Sequence, residues 1–167
     1  MKYFLPFLLL MSLHSQAQID PKTVTIARDS FGVPHIFAKT DPQVSYGLAW
    51  AHAEDDFKSL QMVALPSKSL MGRALGKDGV AGDYAFALFR CREITEEKWS
   101  TLSPAFLRLI EGYVQGINDY AKAHPEEVLV KQLFPMTLKE YVASSVLALT
   151  IFNGGDRALR SIFANNV

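Results

Sequence analysis

Residues 23–61 read TVTIARDSFGVPHIFAKTDPQVSYGLAWAHAEDDFKSLQ, and this stretch decides the fold. Val24 and Ile26 alternate with Thr23, Thr25 and Ala27, the period of a half-buried strand. Ser30-Phe31-Gly32 reads as a turn, with Gly32 at a backbone angle a Cβ would oppose. Val33 to Ala38 returns as the second strand of a hairpin. Pro34 has no amide proton to give a ladder, which places it at an edge or a bulge. Asp41-Pro42 then predicts a helix start, the Asp as cap and the Pro in the first turn. Tyr46, Ala49, Trp50, Ala53, Phe57, Leu60 and Ala64 follow at helical spacing. Gly47, Ala49, Ala51 and Ala53 make this helix thin enough to lie close to a neighbour.

Working outward, Pro66 breaks the helix and Gly76-Lys77-Asp78-Gly79 is a loop. Tyr84 to Arg92 and Thr95 to Ser100 read as short helices. Ser103-Pro104 opens the clearest helix of the chain. Its stripe is Phe106, Leu109, Ile110, Tyr113, Ile117, Tyr120 and Ala121, and His124-Pro125 ends it. Thr137 caps a helix from Leu138 to about Phe152, with Leu138, Val142, Ser145 and Leu149 expected to face inward. Gly154-Gly155 interrupts it, and Asp156 caps a last helix to Ala164. The fold class is α+β and predominantly helical. The hairpin edge and the aromatics Phe31, Trp50, Phe57, Phe86, Phe89 and Trp99 exceed what one small helical core should enclose, which predicts an apolar surface.

The N-terminus carries Lys2, an apolar run from Tyr3 to Leu13, and Ser15-Gln16-Ala17. This is the pattern of a secretory leader over residues 1–17, cut after Ala17, and it predicts a periplasmic or secreted protein. The run is too short to span a bilayer once mature, so no membrane association is expected after cleavage. The remainder, 18–167, reads as one domain.

The chain has 167 residues, with 17 Lys and Arg against 17 Asp and Glu. That neutrality, without a basic patch, gives no footing for nucleic acid. A single cysteine, Cys91, allows no internal disulfide. No serine stands in a G-x-S-x-G context, and no glycine pattern cradles a phosphate. His52, Glu54, Asp55 and Asp56 invite a metal reading, but neighbours on a helix diverge by about 100°, so too few share a face. The carboxylates are better explained by ion pairs with Arg28 or Arg73. His35 reads as a buried histidine in need of a structural partner, and Asp29 as the residue that fixes the turn.

Arg28-Asp29-x-x-Gly32-Val33-Pro34-His35-Ile36, then Gly47-x-Ala49-x-Ala51-x-Ala53-Glu54-Asp55, then Gln61, resembles the start of the penicillin amidase family, which includes the acyl-homoserine-lactone and aculeacin acylases. The likeness continues to about Arg157 and concerns the α segment only. It implies the α part of an αββα N-terminal-nucleophile hydrolase, made as a precursor and cut into α and β chains. It implies that the nucleophile is the first serine of β, with its own amino group as base, and that the oxyanion hole also comes from β. On that resemblance this polypeptide, which ends at Asn165-Asn166-Val167, carries no catalytic residue and needs a β subunit or segment as partner. The substrate implied is a small acyl amide: a penicillin, an acyl-homoserine lactone or similar.

The resemblance also places part of the acyl pocket on the stretch from Leu149 to Ala158. A family pattern of Met followed by Arg-Phe falls on Gly154, Arg157 and Ala158. Arg157 matches; the small Gly154 and Ala158 would widen the pocket, with Leu149 and Phe152 as its apolar wall. The calcium-binding glutamate of the family falls near Ala164, so no cofactor or metal is expected on this chain. Asp56 stands where the family commonly has Arg. Two alternatives stay open: a non-catalytic exported helical domain that binds a ligand or protein, and an orphan fragment of a truncated acylase gene.

Overall fold

A computed structural model describes residues 18–164, with backbone alone for 162–164. The leader expected at 1–17, with His14, lies outside the described residues. Strand β1 (Thr25–Arg28) pairs antiparallel with β2 (Pro34–Phe37), Thr25 opposite Phe37 and Arg28 opposite Pro34. The turn is built by Asp29. Its Oδ1 accepts from the amides of Phe31 and Val33 at 2.9 and 3.0 Å, while Gly32 takes φ 83°. Pro34 sits at the first position of β2, where its missing amide costs no ladder bond.

Helix α1 (Asp41–Ala64) starts one residue earlier than the sequence suggested. Thr40 is the cap, and Asp41 and Pro42 are the first two helical residues. Gln43 reaches back, its Oε1 accepting from the Thr40 amide at 3.1 Å, which closes a capping box. Asp56 departs from helical angles and kinks α1; its Oδ1 accepts from the Ser59 amide at 3.0 Å and so caps the second half.

The small residues of α1 are used on two sides. A Cβ built on Gly47 would lie 2.6 Å from Ile36 Cγ2 and 2.8 Å from Val24 Cγ1, so the hairpin rests directly on the helix there. On the opposite side α5 (Pro104–Ala123) crosses α1. Ser103 caps α5 by accepting from the Phe106 amide. Ala49, Ala53 and Phe57 of α1 pack with Tyr113, Ile117, Tyr120 and Ala121 of α5 as the main core. The expected stripe of α5 is buried only from Tyr113 onward. Phe106 and Leu109 are exposed, because α1 crosses the later turns and leaves the first ones uncovered.

Short helices follow: α2 (Met71–Leu75), α3 (Val80–Leu88) and α4 (Cys91–Lys98). The helix expected over 84–92 is split at Arg90, which takes φ 53° and turns the chain. Phe86 and Phe57 are both buried, against the expectation that they add to an apolar surface; Phe86 packs with Cys91 and Ala143 in a small core of its own. Phe31 does face solvent, 90% exposed at the hairpin tip.

Helix α6 (Leu138–Thr150) is capped by Thr137, which exchanges hydrogen bonds with Glu140. Its buried residues are Ala143 and Ser144, and Leu149 is 62% exposed. The inward face is therefore set one residue away from the expected Leu138, Val142, Ser145 and Leu149 row. It follows contacts with α4 and with the turn after α1, which spacing within α6 cannot show. A wide π-type turn, Ile151–Gly155, leads into α7 (Asp156–Ala164). The fold is α+β and predominantly helical.

Candidate functional site

The C-terminal end of α6 meets α1 and α5 beside an apolar cavity of about 380 Å³. Leu60, Val63 and Ala64 of α1 form one wall, Tyr113 and Ile117 of α5 another, and Tyr141, Ala148 and Leu149 of α6 a third. Phe134 and Met136, from the connector between α5 and α6, close one end. Phe152, in the wide turn, stands at the mouth and is 88% exposed. The connector is held in place by Asn118, which donates to the Met136 carbonyl at 2.8 Å and accepts from its amide at 2.7 Å.

The wide turn has its own causes. Gly154 takes φ 92°, a conformation open to glycine and strained for most other residues. The Asn153 side chain donates to the Leu149 carbonyl at 2.7 Å, and Thr150 Oγ1 donates to the Val146 carbonyl at 2.8 Å. The first ties the turn back to the last residues of α6, and the second is back-bonding of a threonine within α6.

The structure brings Leu149 and Phe152 together at this cavity. Gly154 lies in an adjoining shallow depression with Val146, Thr150 and Gly155, which shares Leu149 with the cavity. Arg157 and Ala158, in the first turn of α7, are exposed and face neither.

Polar groups at the cavity are few. His52 Nδ1 and the Tyr113 hydroxyl are 2.9 Å apart, and burial pushes the Tyr113 phenol well above its ordinary pKa. Ser144 and Ser145 donate to the carbonyls of Glu140 and Tyr141. Neither the His52–Tyr113 pair nor the spare phenol of Tyr141 was foreseen. The sequence signal was present, since Tyr113 falls on the inward stripe of α5, but nothing local to α1 pointed His52 at it.

The acidic run of α1 is taken up in ion pairs. Arg28 reaches Glu54 at 3.0 Å and Asp55 at 2.9 Å, and it also donates to the Gly32 carbonyl at 2.8 Å. The partner is thus Arg28 and not Arg73, and it ties the hairpin to α1. His35 is exposed, not buried. Its Nε2 lies 3.2 Å from Asp29 Oδ2, and that bond, with those from the turn amides, holds the Asp29 carboxyl below its usual pKa. Among the described residues, His124, Glu126 and Glu127 bring three ligand-type atoms within 4.8 Å of one another, at the end of α5. That grouping was read in sequence only as a helix stop.

The penicillin amidase family profile aligns with residues 23–153, from the first strand through the wide turn after α6. The chain belongs to the penicillin amidase family. Among the matching proteins, penicillin G acylase of Escherichia coli is 28% identical over 124 residues, covering 72% of this chain and 15% of that protein. The acyl-homoserine lactone acylase PvdQ of Pseudomonas fluorescens is 25% identical over 145 residues, covering 82% of this chain and 19% of that protein. The chain therefore spans less than a fifth of these relatives. A solved structure of the thermostable penicillin G acylase from Alcaligenes faecalis superposes with a TM-score of 0.59 at 20% identity. That superposition covers 86% of this chain and 90% of the other, and it establishes a shared fold. The family segment thus contains the hairpin, α1, α5, α6 and the cavity between the last three. Arg157, Ala158 and the rest of α7 lie beyond it.

Proposed function

We propose that this chain is the α-type segment of an acylase that hydrolyses a linear acyl amide, with the catalytic nucleophile on a β-type segment. The observation that carries this reading is the family match over the hairpin and the helices that enclose the cavity. The names of the relatives supply the substrate classes, penicillin G and acyl-homoserine lactones.

In this reading the β-type segment covers the exposed apolar groups of the hairpin and of the α6 end, Phe31, Phe37, Leu149 and Phe152. Leu149 and Phe152 form the α-side wall for the acyl group, with Gly154 in the adjoining depression and Ala158 outside both. Ala164 stands where the resemblance places a calcium-binding glutamate and has no side-chain oxygen to offer a cation, so this reading places no cofactor on the chain. In this reading residues 1–17 serve as a secretory leader and the protein works in the periplasm or outside the cell. Among the described residues, no helix is long and apolar enough to cross a membrane.

The test is amide hydrolysis by the purified chain, alone and with a β-type segment supplied in trans. Turnover only in the assembled form is expected. Turnover by the chain alone that disappears on substitution of one of its own serines would refute the proposal.

A further inference from the structure

At the C-terminal end of α5 an imidazole and two carboxylates converge. His124 Nδ1 lies 3.6 Å from Glu126 Oε1 and 3.6 Å from Glu127 Oε1, and the three ligand-type atoms fall within 4.8 Å of one another. The backbone brings them together. His124 leaves the helix with φ −124°, and the chain turns at once through a 3-10 turn, Pro125–Glu127. The Glu127 amide donates to the His124 carbonyl at 3.1 Å and closes that turn.

Two of the three side chains are also held from behind. The His124 ring stacks on the buried Tyr120, centroids 4.3 Å apart, and meets Trp50 in a T-shaped arrangement at 6.3 Å. The Tyr120 hydroxyl donates to the Glu127 carboxylate at 3.3 Å, and Gln61 Nε2 fixes the Glu127 carbonyl at 3.0 Å. An aromatic floor that sets the direction of a ring, and a donor that sets a carboxylate, are the supports that orient metal ligands.

We propose that His124, Glu126 and Glu127 bind a divalent transition cation of the zinc type. A tetrahedral ion with bonds of about 2.0–2.2 Å holds its ligand atoms about 3.4 Å apart, close to the 3.6 Å on both sides of His124 Nδ1. The imidazole nitrogen selects against calcium and magnesium, which prefer oxygen ligands. Three protein ligands leave the fourth position to water. The competing occupant is a proton on the ring, which neutralises one of the two carboxylates; a divalent ion neutralises both. A bound ion ties the end of α5 to the chain that follows it. None of the three residues lines the cavity beside α6, so the inference is independent of the amide-hydrolysis reading.

The experiment is calorimetric titration of the purified, untagged chain with zinc chloride, and with calcium chloride for comparison. One zinc per chain is expected, and no calcium. Glu126→Gln is the cleanest variant, because among the described residues Glu126 pairs only with His124 and the fold does not depend on it. It and His124→Ala are each expected to weaken zinc binding about tenfold or more. His35→Ala, on the hairpin, is expected to leave it unchanged. Zinc should raise the melting temperature of the parent and not that of Glu126→Gln, whose own melt in the absence of zinc shows that it folds. Absence of zinc binding would overturn the inference and leave the cluster as an ion pair with a protonated ring. Zinc binding that survives both Glu126→Gln and His124→Ala, that is lost in His35→Ala, or that calcium matches would overturn it as well.

Discussion

Gly112 of α5 lies against the Pro42 carbonyl of α1, so close that a Cβ on the glycine would stand 2.1 Å from that oxygen. One turn on, a Cβ on Gly116 would stand 2.6 Å from the Tyr46 carbonyl and 2.8 Å from Ala49 Cβ. The crossing of the two helices that carry most of the core is set by these contacts between glycine and backbone, and backbone cannot rotate out of the way as a side chain can. Gly112→Ala should cost about 1–3 kcal/mol or more by overpacking. Gly32→Ala, which meets nothing within 4 Å but must hold φ 83°, should cost about 1–2 kcal/mol through backbone strain alone. Urea unfolding of both variants checks the pair. A Gly112→Ala variant as stable as the parent would mean that the helices separate freely.

Gln61 is buried at 1% exposure and holds the chain after α5. Its Oε1 accepts from the Leu129 amide at 2.8 Å, and its Nε2 donates to the Glu127 carbonyl at 3.0 Å. Gln61→Leu keeps the volume and strands both backbone groups, so a loss of about 1–3 kcal/mol is expected by denaturant titration. A neutral result would mean that water replaces both bonds.

Asp29 gives a pH dependence with a defined sign. Its carboxyl is lowered in the folded protein by the bond to His35 and by the turn amides. A lowered carboxylate contributes stability above its unfolded pKa and loses it as pH falls through the folded one. The stability gap between the parent and Asp29→Asn should therefore be widest near neutrality and close in acid below the ordinary carboxylate range. A gap that widens in acid would contradict the bond pattern of the turn.

Cys91 is fully buried, and burial pushes its thiol up to about 11. Native protein at neutral pH should leave a thiol reagent unreacted, and unfolded protein should titrate one thiol. Fast labelling of the native state would mean that the small core around Phe86 opens.

The hairpin, α1, α5 and the start of α6 were legible because their signals are local. Gly32 marks the turn, Ser103-Pro104 and Thr137 mark helix starts, and the α1 stripe from Tyr46 to Ala64 carries the period of its buried face. The glycines of α5 passed unnoticed, since small residues at Gly112 and Gly116 gain meaning only from what crosses them. The inward face of α6 was misjudged for the same reason: Ala143 and Ser144 are buried by elements distant in sequence. At the site, Leu149 and Phe152 were reached through the resemblance, which places the pocket on their stretch, and local character alone does not single them out. Tyr141 and the His52–Tyr113 pair were not, because the pair joins residues 61 positions apart and Tyr141 joins the cavity only through the packing of three helices.

The central claim is that this chain contributes the acyl-selecting wall of an amide hydrolase. The direct measurement is kcat/KM of the chain assembled with a β-type segment, for a decanoyl amide and a phenylacetyl amide, before and after Ala148→Leu, which narrows the cavity. Filling that space should cost the decanoyl substrate about 1–3 kcal/mol in transition-state binding and spare the phenylacetyl one. Equal losses on the two substrates, or no loss on either, would contradict the assignment of the cavity beside Leu149 and Phe152.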